Sequence, residues 1–313
     1  MKKSAKNRIV IWSIVSVLLI GLLIAGIFCM STFPMFKMFS INTSDILPDL
    51  KDYKTASSEV EFTPTDVKNI SINWVSGSVS IEHGTSDKIE ISESSSSTIS
   101  EDKAMQYKLN SDGTLSIVSC KSSNIFNFWS TDLSKALVIK VPQNKSFNRF
   151  DISTTSANVN ITSMNVEDSD IETTSGEITL TDITGKNAEV NSTSGKTNID
   201  GNINNEISID TVSGDINVDS DCRNLDTESI SATITATLGN NINKADANTV
   251  SGNISISLPE SISGFKADYN SVSGNFSSDF EGNTSDNNFT YKNDNVELNF
   301  DTVSGDMRVK KIK

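Results

Sequence analysis

The sequence predicts an all-β fold, a parallel β-helix (β-solenoid), preceded by one N-terminal transmembrane α-helix. Three observations predict it. First, a Ser-Gly step returns with its marker serine at Ser156, Ser175, Ser194, Ser213, Ser231, Ser251, Ser273 and Ser304, and the units at Ser175, Ser194, Ser213, Ser251, Ser273 and Ser304 share the form apolar-x-Thr/Ser-x-Ser-Gly-x-Φ-x-Φ, with Φ apolar except at Thr197 and Ser278. Ala157 and Ala232 stand for the glycine twice, and the spacings are 19, 19, 19, 18, 20, 22 and 31 residues. A near-fixed period of this size marks coils that bury their apolar faces only against their neighbours. Second, residues within each unit alternate with period two and are rich in β-branched types, which means strands. Third, Ile9 to Phe28 is almost continuously apolar, and twenty residues of helix rise about 30 Å, the thickness of a bilayer's hydrocarbon core.

The elements follow in chain order. Residues 1–8 form a basic tail with Lys2, Lys3, Lys6 and Arg8; positive charge stays on the cytoplasmic side, so the spanning segment 9–30 sends the rest of the chain outside. A cleaved signal peptide competes, but the run is longer than the usual apolar core of one and no Ala-x-Ala site follows. Residues 31–58, with Pro34 and Pro48, read as a juxtamembrane stalk. Residues 59–150 form the irregular N-terminal part of the solenoid. Short alternating runs occur at Ile70 to Trp74, Val79 to Ile81 and Ile89 to Ile91, and Ser111-Asp112-Gly113 suits a hairpin between Met105–Leu109 and Thr114–Val118. Phe126, Phe128 and Trp129 cluster between polar segments. They are either a cap over the end of the core or an exposed patch for a partner, and they are the candidate partner-binding residues. Ala136 to Val141 is a strand ended by Pro142.

The regular solenoid occupies 151–313. Inward residues lie on one parity before Ser-Gly and on the other after it, so the chain must kink there. Stacking then files one hydroxyl ladder through Thr173, Ser192, Thr211, Thr249, Ser271 and Thr302, a second through the marker serines, and an apolar column through Met164, Ile183, Ile203, Cys222 and Ile242. Ladder hydroxyls are expected to hydrogen-bond to one another along the stack. Cys222 therefore reads as a reduced core thiol, although Cys120 and Cys222 could arithmetically form one disulfide. Phe280 to Asn295 reads as a looped-out hairpin, Val296 to Phe300 resumes the array, and the basic Arg308 to Lys313 is expected to blunt the last edge.

Composition excludes several function classes. Without the four basic tail residues, 22 Lys and Arg face 40 Asp and Glu, a net charge of −18, so nucleic acid is not a partner. The marker serine recurs in nearly every unit and no histidine accompanies it, which makes it a structural residue and not a nucleophile. His83 is the one histidine and lies outside the repeats. No zinc, phosphate-loop or hydrolase motif occurs, and no catalytic, cofactor or metal-binding residue is assigned. Calcium on the acidic surface has no loop of the usual spacing behind it. Asp215 and Asp306 follow the Ser-Gly step, with Glu177 in another unit, but Asn158, Lys196, Thr233, Asn253 and Asn275 share that position, as in a solvated outer row.

Ala136-Leu-Val-Ile-Lys-Val-Pro142 followed by Thr-x-Ser-Gly-[Asp/Glu/Asn]-Ile units resembles the bacterial putative-adhesin repeat family that includes LiaG-like membrane-anchored proteins, over about residues 59–313. The resemblance implies a right-handed parallel β-helix, associated with Gram-positive envelope-stress systems and without an established enzymatic activity. The expected role is a non-enzymatic binding module at the cell envelope, held in the cell membrane by one spanning helix, its partner an envelope polymer or a membrane protein. A carbohydrate-active β-helix using an acidic cluster is the alternative, and a passive spacer is a third.

Overall fold

Each repeat becomes one coil, and the parity change at Ser-Gly becomes a corner. The computed structural model describes residues 50–56, 59–120 and 134–313. The chain divides into the units Met1–Lys51 and Asp52–Lys313, and the fold described here is that of the second. Strand Ile178–Ser194 lies parallel on Thr197–Ser213, with Leu180 beside Ile199, Val190 beside Ile209 and Ser194 beside Ser213. Before the corner Ile171 and Thr173 point inward; after it Ile178 and Leu180 do, on the opposite parity. Gly214 shows why glycine marks the corner. Its φ of 136° lies where side chains are strained, and a Cβ there would sit 2.2 Å from the carbonyl oxygen of Gly195 in the next coil.

The opposite corner is filled as the sequence predicts: Met164, Ile183, Ile203, Cys222 and Ile242 are all buried. Cys120 and Cys222 are both free thiols, and burial pushes Cys222 up to about 12, so it stays protonated and apolar in character. The core runs through the coils as one continuous cluster from Ala56 to Val309.

At both ends of the stack, spatial order departs from chain order. Lys244–Ser251 and Ile254–Pro259 pair with Val296–Ser304 and Met307–Ile312, and these pair in turn with Phe265–Ser273 and Phe276–Ser278. The 296–312 coil thus fills a slot between two earlier coils. This corrects the expectation that the array simply resumes at Val296 and that Arg308 to Lys313 guard its last edge. The physical reason is the return path. From the outer coil the chain must come back inward past one coil, and Phe280 to Asn295 provides that route through the antiparallel hairpin Asn283–Ser285 and Asn288–Tyr291. The hairpin's second strand pairs with Phe265–Asp268. Phe280, Phe289 and Tyr291 gather on Phe265 with ring centroids 5.2, 5.7 and 5.7 Å away, sealing the core.

The other end has the mirror arrangement. Asn69–His83 lies between Ser146–Thr162 on one side and Thr114–Val118 with Lys135–Val141 on the other. Ser76 pairs with Ser156, so it belongs to the marker column, and Trp74 takes the place of the ladder hydroxyl beside Thr154. Antiparallel strands Gln106–Leu109 and Ile89–Ser95 cover this end. Lys135, which opens its strand, is wholly buried. Its Nζ donates to Glu93 Oε2 at 2.7 Å, to Lys103 O at 2.7 Å and to Ser119 O, and sits 4.8 Å from the centre of the Trp74 ring. Burial pulls this ammonium down and Glu93 holds it up.

The only described helix is the short 3-10 turn Leu50–Asp52. Among the described residues no helix is long and apolar enough to cross a membrane. The predicted span 9–30 lies outside them, as do Phe126, Phe128 and Trp129.

Candidate functional site

In-register pairing turns each outward position of the motif into a row running across the coils. On the sheet that precedes the Ser-Gly corner, one row carries Asp151, Asp170, Glu189, Asp226, Asp246 and Asp268. The next outward row carries Glu172, Asp210, Glu228 and Asp301. Cations at the margin pair with part of the first row: Arg149 Nη2 lies 2.6 Å from Asp170, Lys266 Nζ 2.7 Å from Asp268, and Lys244 also bonds Asp246. Among the described residues no salt bridge reaches Glu189, Asp210, Asp226, Glu228 or Asp301. Burial between stacked strands raises Asp210, with Glu189 adding to it. It raises Asp226 and Glu228 as well, and the neighbouring Asp246 and Asp210 push both further. Asp301 is raised by burial and by Asp246, against a hydrogen bond from Asn270. The face is therefore a field of half-desolvated, mutually repelling carboxylates.

Beside the second row lies the outward position between the ladder hydroxyl and the marker serine. Thr155, Thr174 and Thr193 occupy it in the first repeats. In the next five coils in space it becomes Val212, Ile230, Val250, Val303 and Val272, following the registers Thr211 to Ser229, Ser229 to Thr249, Thr249 to Thr302 and Ser271 to Thr302. At ~4.8 Å per coil this aliphatic ridge is about 19 Å long. Val272 is 83% and Val303 37% exposed, and they are the exposed large hydrophobic residues of the described chain. Single exposed valines are ordinary; a ridge of five beside a carboxylate field is a surface that can bind.

The ladders occupy the positions expected but bond differently. The marker serines stack on the outside, Ser194 on Ser213, Ser213 on Ser231 and Ser251 on Ser304. Ser156 Oγ donates to Val75 O at 3.3 Å and Ser175 Oγ to Thr155 O at 3.4 Å, so these hydroxyls fasten one coil to the previous one. On the inside, Thr154 Oγ1 donates to Thr173 Oγ1 at 2.9 Å, and Thr173 Oγ1 accepts from Gly176 N at 2.9 Å. Ser192, Ser229, Thr249, Thr302 and Ser271 have no hydrogen-bond partner for their buried hydroxyls. The expected chain of hydroxyl bonds is thus confined to one step. Coil spacing of ~4.8 Å exceeds a hydroxyl bond of ~2.8 Å, so identical rotamers repeated up the stack leave each hydroxyl out of reach of the next.

The row after the glycine is also structural. Asp215 Oδ1 accepts from Thr233 N at 3.2 Å, Asp306 Oδ1 from Asn275 N at 2.9 Å and Asn158 Oδ1 from Glu177 N at 3.0 Å. These side chains clip the corner amides of adjacent coils, which explains a position that tolerates Asp and Asn. His83 Nδ1 lies 3.3 Å from Val141 O. Among the described residues no three His, Cys, Asp or Glu side chains are arranged to hold a metal ion.

Solved structures to which the chain is similar include a putative adhesin from Bacteroides fragilis NCTC 9343, 14% identical over 82% of this chain and 99% of that one, TM-score 0.40. A putative cell adhesion protein from Clostridium sporogenes ATCC 15579 is 13% identical over 83% and 100%, TM-score 0.28. A putative lipid binding protein from Parabacteroides distasonis ATCC 8503 is 12% identical over 83% and 98%, TM-score 0.29. No curated protein matches the chain. The family model described as Toastrack DUF4097 matches residues 67–310, from the first strand of the stack to its last, and with these coils and corners on view the chain belongs to that family.

Proposed function

We propose that this chain is a membrane-anchored, extracytoplasmic binding module, adhesin-like or associated with envelope stress, that works without turnover. Residues 9–30 would hold it in the cell membrane with residues 1–8 in the cytoplasm, and the solenoid would face outward. The partner is a positively charged segment of an envelope or membrane protein that also carries aliphatic side chains. One observation carries this reading: five aliphatic residues stand in register beside the carboxylates of Asp210, Glu228 and Asp301. Cations relieve the repulsion among these groups, and aliphatic groups cover the ridge. The same charge repels anionic lipid headgroups, which favours a polypeptide over a bilayer surface.

The test presents the full chain, held in membranes, with a Lys/Leu peptide and its Glu/Leu counterpart. The cationic peptide binds, and raising salt weakens it. Asp226→Asn with Glu228→Gln lowers the affinity about tenfold or more, as does Val250→Lys. Equal binding of both peptides, or binding indifferent to these substitutions, refutes the reading. Release of sugar from a polysaccharide that Asp226→Asn abolishes would put the carbohydrate-active enzyme in its place.

A further inference from the structure

The two ends of the stack differ in how their edges are treated. At one end the outer coil is paired along both of its strands, Thr114–Val118 by Gln106–Leu109 and Lys135–Val141 by Ile89–Ser95. At the other end the outer coil runs from Phe265 to Ser278. Asn288–Tyr291 covers Phe265–Asp268, and Tyr269 N donates to Asn287 O at 3.0 Å. Among the described residues no strand pairs with Asn270–Ser278 on the side away from Val296–Ile312.

Exposed edges are normally guarded by lysine, by proline or by a bulge, because unpaired amides and carbonyls template the addition of another strand. Asn270-Ser-Val-Ser-Gly-Asn-Phe-Ser-Ser278 contains no charged residue and no proline. It holds Val272, 83% exposed, and the buried Ser271 hydroxyl, which has no partner. An edge left bare in so acidic a chain is a surface kept for use.

We propose that this edge is an interface and that its occupant is the same edge of a second copy, giving a closed two-fold dimer. Three features favour that occupant. Strands of this motif already take a neighbour along each edge in parallel, coil after coil, and without charges this edge can take an antiparallel copy of itself with no like-charge contact. Head-to-tail growth by parallel coil-on-coil stacking is blocked, because antiparallel strands cover the outer coil at the opposite end, so the contact closes at two copies and does not run on into a fibre. A two-fold axis through the Ser273–Gly274 bond opposes Ser271 to Phe276 and Val272 to Asn275, which keeps inward residues with inward and outward with outward.

The experiment uses the full chain with Cys29→Ser, leaving the buried Cys120 and Cys222 in place. Val272→Cys with Asn275→Cys, treated with a short thiol cross-linker, gives at least about tenfold more covalent dimer than either single cysteine or none, because only that pair is opposed at cross-linking distance. Val272→Lys, the guard that natural edges carry, gives a monomer in sedimentation with an unchanged circular dichroism spectrum. Absence of cross-linked dimer, equal cross-linking by Val272→Cys alone, or a dimer that survives Val272→Lys overturns the proposal. Val272 ends the aliphatic ridge, but the peptide-binding test rests on Asp226, Glu228 and Val250, at least two coils from this edge, so the two readings fail separately.

Discussion

Thr173 and Thr302 occupy the same inward column, and replacing each by valine is expected to change stability in opposite directions. Thr173 Oγ1 accepts the buried Gly176 N–H at 2.9 Å and receives the Thr154 hydroxyl at 2.9 Å. Thr154 keeps a second acceptor, Ala157 O at 3.2 Å, so Thr173→Val leaves one buried donor, the glycine amide, without a partner. That costs about 1–3 kcal/mol. Thr302 Oγ1 has no partner, and a buried hydroxyl without one is itself a penalty of about 1–3 kcal/mol. Thr302→Val removes it while keeping the branched shape, so a gain of about 1 kcal/mol is expected, and the two variants should differ by about 2–4 kcal/mol. Thermal and urea unfolding of both variants beside the parent chain, followed by circular dichroism, measures this. Each kcal/mol moves the midpoint by about 2–4 °C in a domain of this size. Should Thr302→Val destabilise as Thr173→Val does, the column is bonded throughout and the account of coil spacing given above is wrong.

Gly214→Ala combines a strained φ with a Cβ 2.2 Å from Gly195 O, and about 2–6 kcal/mol should be lost. Gly239→Ala, where the obstacle is the Asp221 side chain, should shift the urea midpoint far less. Lys135→Met leaves the mostly covered Glu93 carboxylate without its cation and with only the Met105 amide on it, and should cost about 3 kcal/mol; adding Glu93→Met should recover part of it, and a double-mutant cycle showing no coupling would contradict the pair. Asp210, Asp226, Glu228 and Asp301 are raised in the folded state. Their contribution is then full below the unfolded values near ~4 and is lost as pH rises through the folded ones. As the pH falls through that window, from the folded values towards the unfolded ones, these groups should stabilise the chain, and Asp226→Asn with Glu228→Gln should flatten that slope.

What was legible in the chain was whatever repeats. The column from Met164 to Ile242 and the two hydroxyl ladders follow from period and parity alone, because a coil of constant length carries each position to the same place. The order of the last coils was not legible for the same reason. Thr249-Val-Ser-Gly252, Ser271-Val-Ser-Gly274 and Thr302-Val-Ser-Gly305 are nearly the same words, so nothing in them says that Ser304 sits on Ser251 and not only on Ser273. The aliphatic ridge was written plainly in the variable place of the motif, yet it becomes a surface only when five coils are stacked. Lys135 was hidden differently. A lysine opening Ala-Leu-Val-Ile-Lys-Val looks solvated, and its burial depends on Glu93, 42 residues earlier.

A coil that is synthesised after both of its neighbours has a kinetic meaning. Until 296–312 arrives, 244–259 and 265–278 have no strand between them, and closure must bridge 53 residues on one side and 31 on the other. Contacts so distant along the chain form slowly. Once the latch is shut, the 296–312 coil cannot leave alone, since it is gripped from both sides. Such an array should mature late and, having matured, come undone reluctantly, its endurance set by the rate of opening and not by equilibrium stability alone.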